Sequence, residues 1–114
     1  MQYQLNHEKL EIYQTAIEFL AFAFQTIKII PSGYSFLSDQ FKRASLSIPL
    51  NIAEGNGKFT KDDKAKFYKI ARGSANECSA ILDALKTMEL LKPRSVTQGK
   101  QLLYRIVCML CKMF

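Results

Sequence analysis

Apolar residues recur at steps of three and four along almost the whole chain, which is the spacing of helices that bury one face. In the first helix, expected from Asn6 to about Ile30, one such stripe consists of Leu10, Tyr13, Ile17, Leu20, Phe24 and Ile27. A second stripe runs beside it and consists of Ile12, Ala16, Phe19, Ala23 and Ile30, with Phe22 widening it further. Two stripes are more than one small bundle covers, so the pattern favours an oligomer over a helix buried unusually deeply in one chain.

The second helix is predicted to begin at Ser35, with Ser38 as the alternative cap, and to end at Gly55 or Gly57. Pro49 lies inside it and removes one backbone hydrogen bond at a cost of about 3 kcal/mol, so we expect a kink. A polar stripe continues across the proline on one helical face, which argues against a break; its members are Arg43, Ser47, Asn51 and Glu54.

Thr60 and Asp63 have the spacing of a capping box and predict the start of the longest helix, which should run to about Leu91. Its seam consists of Phe67, Ala71, Ser74, Cys78, Ile81, Leu85 and Met88. Gly73 costs about 1 kcal/mol relative to alanine inside a helix, so we expect a neighbouring helix to approach closely there.

The last helix is expected to be capped at Ser95 and to run from Val96 to near the terminus, with Leu103, Ile106, Leu110 and Met113 as its seam. No segment has the alternation of a strand. The sequence therefore predicts an all-α fold, an antiparallel up-down-up-down four-helix bundle with a second helix kinked at Pro49. Residues 1–114 should form one domain.

Composition narrows the functional classes only a little. Hydrophobic residues make up 48% and charged residues 23% of the 114 positions, the ordinary globular range. A net charge of +6 attracts polyanions such as nucleic acid. The chain has neither the layout of a signal peptide nor an apolar run approaching the roughly 20 residues of a membrane span, so we expect a cytoplasmic protein without membrane contact.

Catalytic chemistry is not indicated. The single histidine, His7, has no paired context, and Asp62 and Asp63 are explained by the dipole of a helix first turn. Cys108 and Cys111 have the spacing of a metal or redox pair, but they fall in a helix without a second pair, so we predict buried thiols. We expect no enzyme activity, no cofactor, no metal site and no small-molecule substrate.

Six cations gather at the second turn and the start of the third helix: Lys58, Lys61, Lys64, Lys66, Lys69 and Arg72. They form either a solvated face, with Asp62 paired to Lys66, or a surface that binds nucleic-acid phosphates. Phe59 and Tyr68 lie among them, and each is either a packing residue or a stacking surface for an unpaired base.

The polar stripe of the second helix has a counterpart on the third. We expect these residues to form a hydrogen-bonded network that fixes the register of the two helices, because buried charges need partners. The network would consist of Arg43, Ser47, Asn51, Glu54, Ser74 and Glu77, with Arg72 nearby. A binding pocket lined by the same stripe is the alternative.

Three segments resemble a known family: Leu10-Glu-Ile-Tyr-Gln-Thr-Ala16, Gln40-Phe-Lys-Arg-Ala44 followed by Ser47-Ile-Pro-Leu-Asn-Ile-Ala-Glu-Gly55, and Ile70-Ala-Arg-Gly-Ser74 with Glu77 downstream. They resemble the bacterial four-helix-bundle proteins encoded in intervening sequences of large-subunit ribosomal RNA, often labelled ribosomal proteins. The chain is also similar to the accessory variability determinant of diversity-generating retroelements. It departs from the usual pattern at Ser45, where a small apolar residue is common, and in ending at Phe114.

The resemblance implies a homopentamer whose partner is RNA or an RNA-associated protein such as a reverse transcriptase. Together with the six cations, it leads us to expect a non-enzymatic, homo-oligomeric bundle that binds through its basic surface. The alternative is a protein-interaction scaffold without a nucleic-acid role. An enzyme would require a concave pocket lined by the polar stripe.

Overall fold

The computed structural model describes residues 3–114, and four α-helices account for most of them. Helix α1 spans Glu11–Ile29, α2 spans Ser35–Asn56, α3 spans Lys61–Thr87 and α4 spans Pro93–Cys111. Two 3₁₀ helices, Asn6–Lys9 and Ser32–Tyr34, precede α1 and α2. Residues 3–114 contain no strand, so the all-α prediction is confirmed.

Each helix packs against two neighbours, so the four form a closed ring: α1 lies beside α2 and α4, and α3 lies beside α2 and α4. The rings of Phe19 and Phe41 are 6.0 Å apart, whereas Asn6 meets Asn56 at 3.5 Å. Residue numbers therefore rise along α1 and the 3₁₀ helix before it as they fall along α2, so α1 and α2 are antiparallel. Contacts between α2 and α3, and between α3 and α4, follow the same rule, which gives an antiparallel bundle.

The core confirms one stripe of α1 and corrects the other. The buried residues of α1 include Ile12, Ala16, Phe19 and Ala23, which belong to the second of the two predicted stripes. In the other stripe, Ile17 and Phe24 are 40% and 47% exposed. Both stripes have helical spacing, and spacing alone does not tell which of them faces the other helices.

Helix α1 also begins later than Asn6, because Leu10 has extended backbone angles and separates it from the 3₁₀ helix. The side-chain amide of Gln14 donates to the Glu8 carbonyl at 3.1 Å across this break. A side chain in the first turn of α1 thus bridges a break where an unbroken helix from Asn6 was expected.

Helix α2 has the predicted bounds, with Gly57 directly after its last residue. It continues through Pro49, which is buried, and the kink there stays a prediction. Ser45 is fully buried, and its hydroxyl donates to the Lys42 carbonyl at 3.2 Å. The serine that departs from the family pattern is therefore accommodated within its own helix, because its polar atom is satisfied there.

Helix α3 is capped as predicted, since Thr60 Oγ1 accepts from the Asp63 N–H at 3.1 Å. It ends at Thr87, earlier than expected, because Glu89 adopts a left-handed φ of 59°. Helix α4 begins at Pro93, after Lys92 in the cap position, and not at Val96 after a cap at Ser95. A proline suits the first helical position, where its missing N–H would have no partner in any case.

The expectation for Gly73 is wrong. It lies on the exposed side of α3, and a Cβ built there would meet nothing within 4 Å. The close approaches occur at two other glycines: a Cβ on Gly55 would lie 2.5 Å from Tyr68 Cε1, and one on Gly99 would lie 2.5 Å from Phe22 Cε2. Gly55 is therefore a packing residue inside α2 and not its cap.

Candidate nucleic-acid interface

The basic residues lie on the hairpin formed by α2 and α3, whose connection is short and held at both ends. The Gly57 N–H donates to the carbonyls of Ala53 and Glu54 at 3.2 Å, and the Lys58 N–H donates to the Gly55 carbonyl at 3.1 Å. Thr60 then caps α3. Because hydrogen bonds fix the backbone on both sides of the turn, the positions from which its side chains project are well defined.

Directly inside the turn, Gly55 allows the ring of Tyr68 to pack against the α2 backbone. Tyr68 is only 2% exposed. Burial raises the pKa of its phenol, and a hydrogen bond from Asn56 offsets part of that rise. Tyr68 is thus a packing residue and offers no stacking surface to a base.

Three of the six cations are engaged by the fold, and we call Lys58, Lys64 and Arg72 the inner set. Lys64 Nζ donates to the Asn56 carbonyl at 2.9 Å, at the carboxyl end of α2, where a positive charge complements the helix dipole. Lys58 lies 3.7 Å from the Glu54 carboxylate and 5.1 Å from the centre of the Phe67 ring.

Arg72, the last member of the inner set, lies 5.0 Å from the centre of the Phe114 ring. This cation–π contact joins the middle of α3 to Phe114, which lies three residues after the end of α4. It also means that Arg72 is directed toward α4 and not along the exposed side of α3.

The other three cations, Lys61, Lys66 and Lys69, form the outer set. All three are exposed, and within residues 3–114 none of them makes a hydrogen bond or a salt bridge. The expected pairing of Asp62 with Lys66 does not occur in the described residues. From Lys61 to Lys69 the helix rises by about 12 Å at 1.5 Å per residue.

Phe59, in the turn itself, is 100% exposed. It lies between Lys58 and Lys61, in the connection from α2 to α3. We call Phe59 and the outer set, which lie between positions 59 and 69, the outer face of the hairpin; the exposed carboxylates of Asp62 and Asp63 lie among them in the sequence.

On the opposite edge of the hairpin, three members of the predicted polar network meet. Ser74 Oγ donates to Ser47 Oγ at 2.8 Å, and the Asn51 amide donates to the Ser47 carbonyl at 2.8 Å and to its hydroxyl at 3.0 Å. Only the Ser74–Ser47 bond joins α2 to α3, whereas the two Asn51 bonds lie within α2; all three residues are half-buried.

The three charged members of that network are placed differently. Arg43 is exposed, and in residues 3–114 it forms no salt bridge. Glu54 pairs with Lys58, and Glu77 accepts a hydrogen bond from the Gln40 amide at 2.9 Å. Gln40 was missed by sequence reasoning, although it lies three residues before Arg43 and so extends the face of the polar stripe by one turn. Because these charges are exposed, water solvates them and no buried network is needed.

The cysteine prediction also needs correction. Cys78 is buried, but Cys108 and Cys111 are exposed. Both lie on the solvent side of α4, although Leu110 between them is buried, and a step of three in the sequence does not tell the core side from the solvent side.

Burial, together with the charge of Glu77, raises the pKa of the Cys78 thiol to about 12. Within residues 3–114, no three His, Cys, Asp or Glu side chains are grouped to hold a metal ion.

Two concave regions lie outside the hairpin's outer face. An open groove of about 920 Å³ borders α4 and is lined in part by Asn76, Gln101 and Tyr104. A second, of about 550 Å³, is lined by residues that include His7 and Glu54. Neither region is lined by Ser47, Asn51 or Ser74, and Glu54 is the member of the polar stripe that borders the second region.

The fold and the motifs agree with a comparison against protein families. The model of the 23S rRNA-intervening sequence protein family matches residues 8–112. The chain belongs to this family. The match includes all four helices and the hairpin, so the resemblance seen in the three sequence segments is confirmed for nearly the whole chain.

A solved structure shares the fold. It is a protein with unknown function from the S23 ribosomal protein family of Bacteroides thetaiotaomicron VPI-5482, with a TM-score of 0.83 and 21% sequence identity. The similarity covers 90% of this chain and 93% of that one. No curated protein matches the chain.

In the described residues, no helix combines the length and apolar character that crossing a membrane requires.

Proposed function

We propose that this member of the 23S rRNA-intervening sequence protein family is a non-enzymatic, cytoplasmic, homo-oligomeric bundle that binds RNA or an RNA-associated protein through the outer face of its α2–α3 hairpin. The observation that carries the proposal is the outer set: Lys61, Lys66 and Lys69 are exposed and make no bond within residues 3–114. The family description names 23S rRNA, which makes RNA the polyanion to test first.

The inner set should contribute less to the affinity for RNA than its charge suggests. For Lys64 to bind a phosphate, it would have to leave the Asn56 carbonyl at the end of α2. Lys58 would leave both Glu54 and the Phe67 ring. Free ammonium groups lose only water and counterions when they meet a phosphate, so the outer set provides most of the affinity.

The test is the affinity for a short single-stranded RNA at low salt, measured by fluorescence anisotropy on the full chain. We expect the triple variant K61Q/K66Q/K69Q to bind about tenfold or more weakly, because three phosphate contacts are lost. The matched control is K28Q/K86Q/K92Q, which removes three exposed lysines at the other end of the bundle. Equal affinity for the triple variant and the wild type would overturn the proposal, and so would an equal loss in the control.

Homo-oligomerisation is supported by apolar side chains that the single chain leaves uncovered. Ile17 and Phe24 of α1 are 40% and 47% exposed, and Leu46 and Leu50 of the adjacent α2 are 44% and 55% exposed. A second copy that covers these side chains would gain about 25 cal/mol for each Å² of apolar surface removed from water. A pentamer is the assembly that the family resemblance implies.

Sedimentation velocity tests the assembly. I17D/F24D places charges where a partner copy would pack, and we expect it to dissociate the oligomer while the exposed positions leave the fold intact. I70D is the control, because Ile70 is 47% exposed on α3, outside the surface proposed for assembly. A monomeric wild type, or an unchanged oligomer in I17D/F24D, would contradict this part of the proposal.

The second candidate is a protein-interaction scaffold with no nucleic-acid role, and the same exposed apolar residues of α2 favour it. The RNA-associated partner suggested by the retroelement resemblance is a reverse transcriptase. A pull-down with and without nuclease separates the two candidates. Partners that persist after nuclease, combined with no binding to purified RNA, would favour the scaffold.

A further inference from the structure

Among the large apolar residues of the described chain, Phe59 is the most exposed. Its side chain is 100% exposed, whereas Phe67 lies half-buried beneath the ammonium of Lys58 and Tyr68 is buried against Gly55. Within residues 3–114, Phe59 takes part in none of the aromatic ring pairs. The packing of the single chain therefore gives no reason for a large ring at this position.

Hydrogen bonds fix the backbone on both sides of Phe59. On one side, the Lys58 N–H donates to the Gly55 carbonyl at 3.1 Å; on the other, Thr60 caps α3 through the Asp63 N–H at 3.1 Å. A ring carried on a short, bonded connection loses little backbone freedom when a ligand binds to it. The backbone position from which the Phe59 ring projects is thus fixed before a partner binds.

The charges around Phe59 distinguish it from the other exposed apolar residues. Ile17, Phe24, Leu46 and Leu50 have apolar neighbours on α1 and α2, as expected for contact with another protein surface. Phe59 instead lies in sequence between Lys58 and Lys61, and Lys66 and Lys69 follow on α3, with the carboxylates of Asp62 and Asp63 in the first turn. An apolar partner on Phe59 would desolvate ammonium groups without pairing them, which is costly. A ligand with negative charges and flat rings would satisfy both kinds of residue.

The geometry also separates single strands from duplexes. The outer set extends for about 12 Å along α3, the length of three or four stacked nucleotides at roughly 3.4 Å each. In A-form RNA the bases are stacked inside the helix and the major groove is too narrow for side chains to enter. A ring on a convex surface therefore reaches only a base that is already unpaired.

We propose that Phe59 stacks on an unpaired base while Lys61, Lys66 and Lys69 hold the adjacent phosphates, so that the ligand of the outer face is single-stranded or looped RNA and not a continuous duplex. This inference rests on the proposed function, because it assigns a ligand class to the same surface. It adds a contact that is independent of charge.

The experiment compares F59A with the wild type on one RNA strand, used alone and annealed to its complement. We expect F59A to bind the single strand about 5- to 100-fold more weakly, the range measured when a stacking side chain is replaced by alanine. Duplex binding should change by less than about twofold, because no base is available for stacking. The salt dependence should stay the same, since no charge is removed.

Two further substitutions separate stacking from mere apolar contact. F59W should restore single-strand affinity, because an indole stacks at least as well as a phenyl ring, whereas F59L should not. Because the ring of Phe59 is fully exposed, thermal unfolding of all three variants should match the wild type.

The outcomes of the two tests are distinguishable. If K61Q/K66Q/K69Q loses RNA affinity and F59A keeps it, the proposed function stands and the stacking inference fails. If F59L binds as well as F59W, stacking is again wrong. If F59A alters the sedimentation of the protein without affecting RNA binding, Phe59 belongs to a subunit contact and the inference is overturned. If the wild type binds neither RNA form at low salt, both fail together.

Discussion

On the inside of the α2–α3 hairpin, Lys64 bonds to the last carbonyls of α2, Gly55 admits the Tyr68 ring, and Cys78 is fully buried. On the outside, Lys61, Lys66, Lys69 and Phe59 project into water without partners in the described chain. Both sides come from the same stretch of sequence. The difference shows that the number of cations in a segment overstates its capacity to bind a polyanion, because some of them already stabilise the fold.

The largest expected effect on stability comes from a glycine-to-alanine substitution, which can be made on both the inner and the outer side of the hairpin. Gly55→Ala should lower the free energy of unfolding by about 1–3 kcal/mol, because the added methyl would lie 2.5 Å from the rigid ring of Tyr68. Chemical denaturation measures the change. A Gly55→Ala variant as stable as the wild type would contradict the close contact.

Gly73→Ala is the matched variant on the outer side. Nothing lies within 4 Å of the added methyl, and alanine is the better helix former, so stability should rise by up to about 1 kcal/mol. The same substitution should therefore have opposite signs on the two sides. If Gly73→Ala is strongly destabilising, α3 has a close neighbour at this position, such as another subunit.

Asn51→Leu should lower stability by about 1–2 kcal/mol, because the Asn51 amide supplies two of the hydrogen bonds that involve Ser47, at half-buried positions. Glu54→Leu, three residues later on the same helix, should change it by about 0.5 kcal/mol or less, since its ion pair with Lys58 is exposed. Urea unfolding of the two variants compares them directly. A Glu54→Leu loss as large as that of Asn51→Leu would show that the charged residues are part of the network after all.

Alkaline pH should destabilise the inner side through Cys78. The pKa of this thiol is raised to about 12 in the folded chain, so above pH 9 the unfolded chain releases a proton that the folded chain retains. Stability is therefore complete below the pKa of the unfolded thiol and decreases as pH rises toward 12, by at most about 1.4 kcal/mol per pH unit. The raised pKa of Tyr68 acts in the same direction at higher pH.

Unfolding free energies measured between about pH 8 and pH 10 check this linkage, and we expect the wild type to lose about 1 kcal/mol or more over that range. Cys78→Ala should be less stable overall but should show a shallower decline. Cys108→Ala is the matched control, because it removes an exposed thiol instead of the buried one. A Cys78→Ala variant with the wild-type pH dependence would refute the assignment.

Local signals in the sequence predicted the hairpin well. The cap at Thr60 depends on residues three apart, and the bounds of α2 depend on the residues at its ends, so neighbouring positions contain the necessary information. The family resemblance extended this to the whole fold, because the matching motifs lie on three helices.

Orientation and proximity between helices were harder to predict. Both stripes of α1 have helical spacing, and only the packed structure shows that Phe19 is inside and Phe24 outside. A glycine in a helix indicates that a side chain is absent, but not whether a neighbour fills the space, so the sequence does not show that the close approach occurs at Gly55 and not at Gly73. Likewise, the sequence could not separate Lys64, whose partner is a backbone carbonyl, from Lys66.

The most direct test of the central claim is the slope of log binding constant against log salt concentration for single-stranded RNA. If the outer set neutralises three phosphates, K61Q/K66Q/K69Q should reduce the magnitude of that slope by about 2, at roughly 0.7 per phosphate. K28Q/K86Q/K92Q, with the same net charge, should keep the wild-type slope. Equal slopes for the two triple variants would contradict the claim, because RNA would then respond to the overall charge of the protein and not to the outer face of the hairpin.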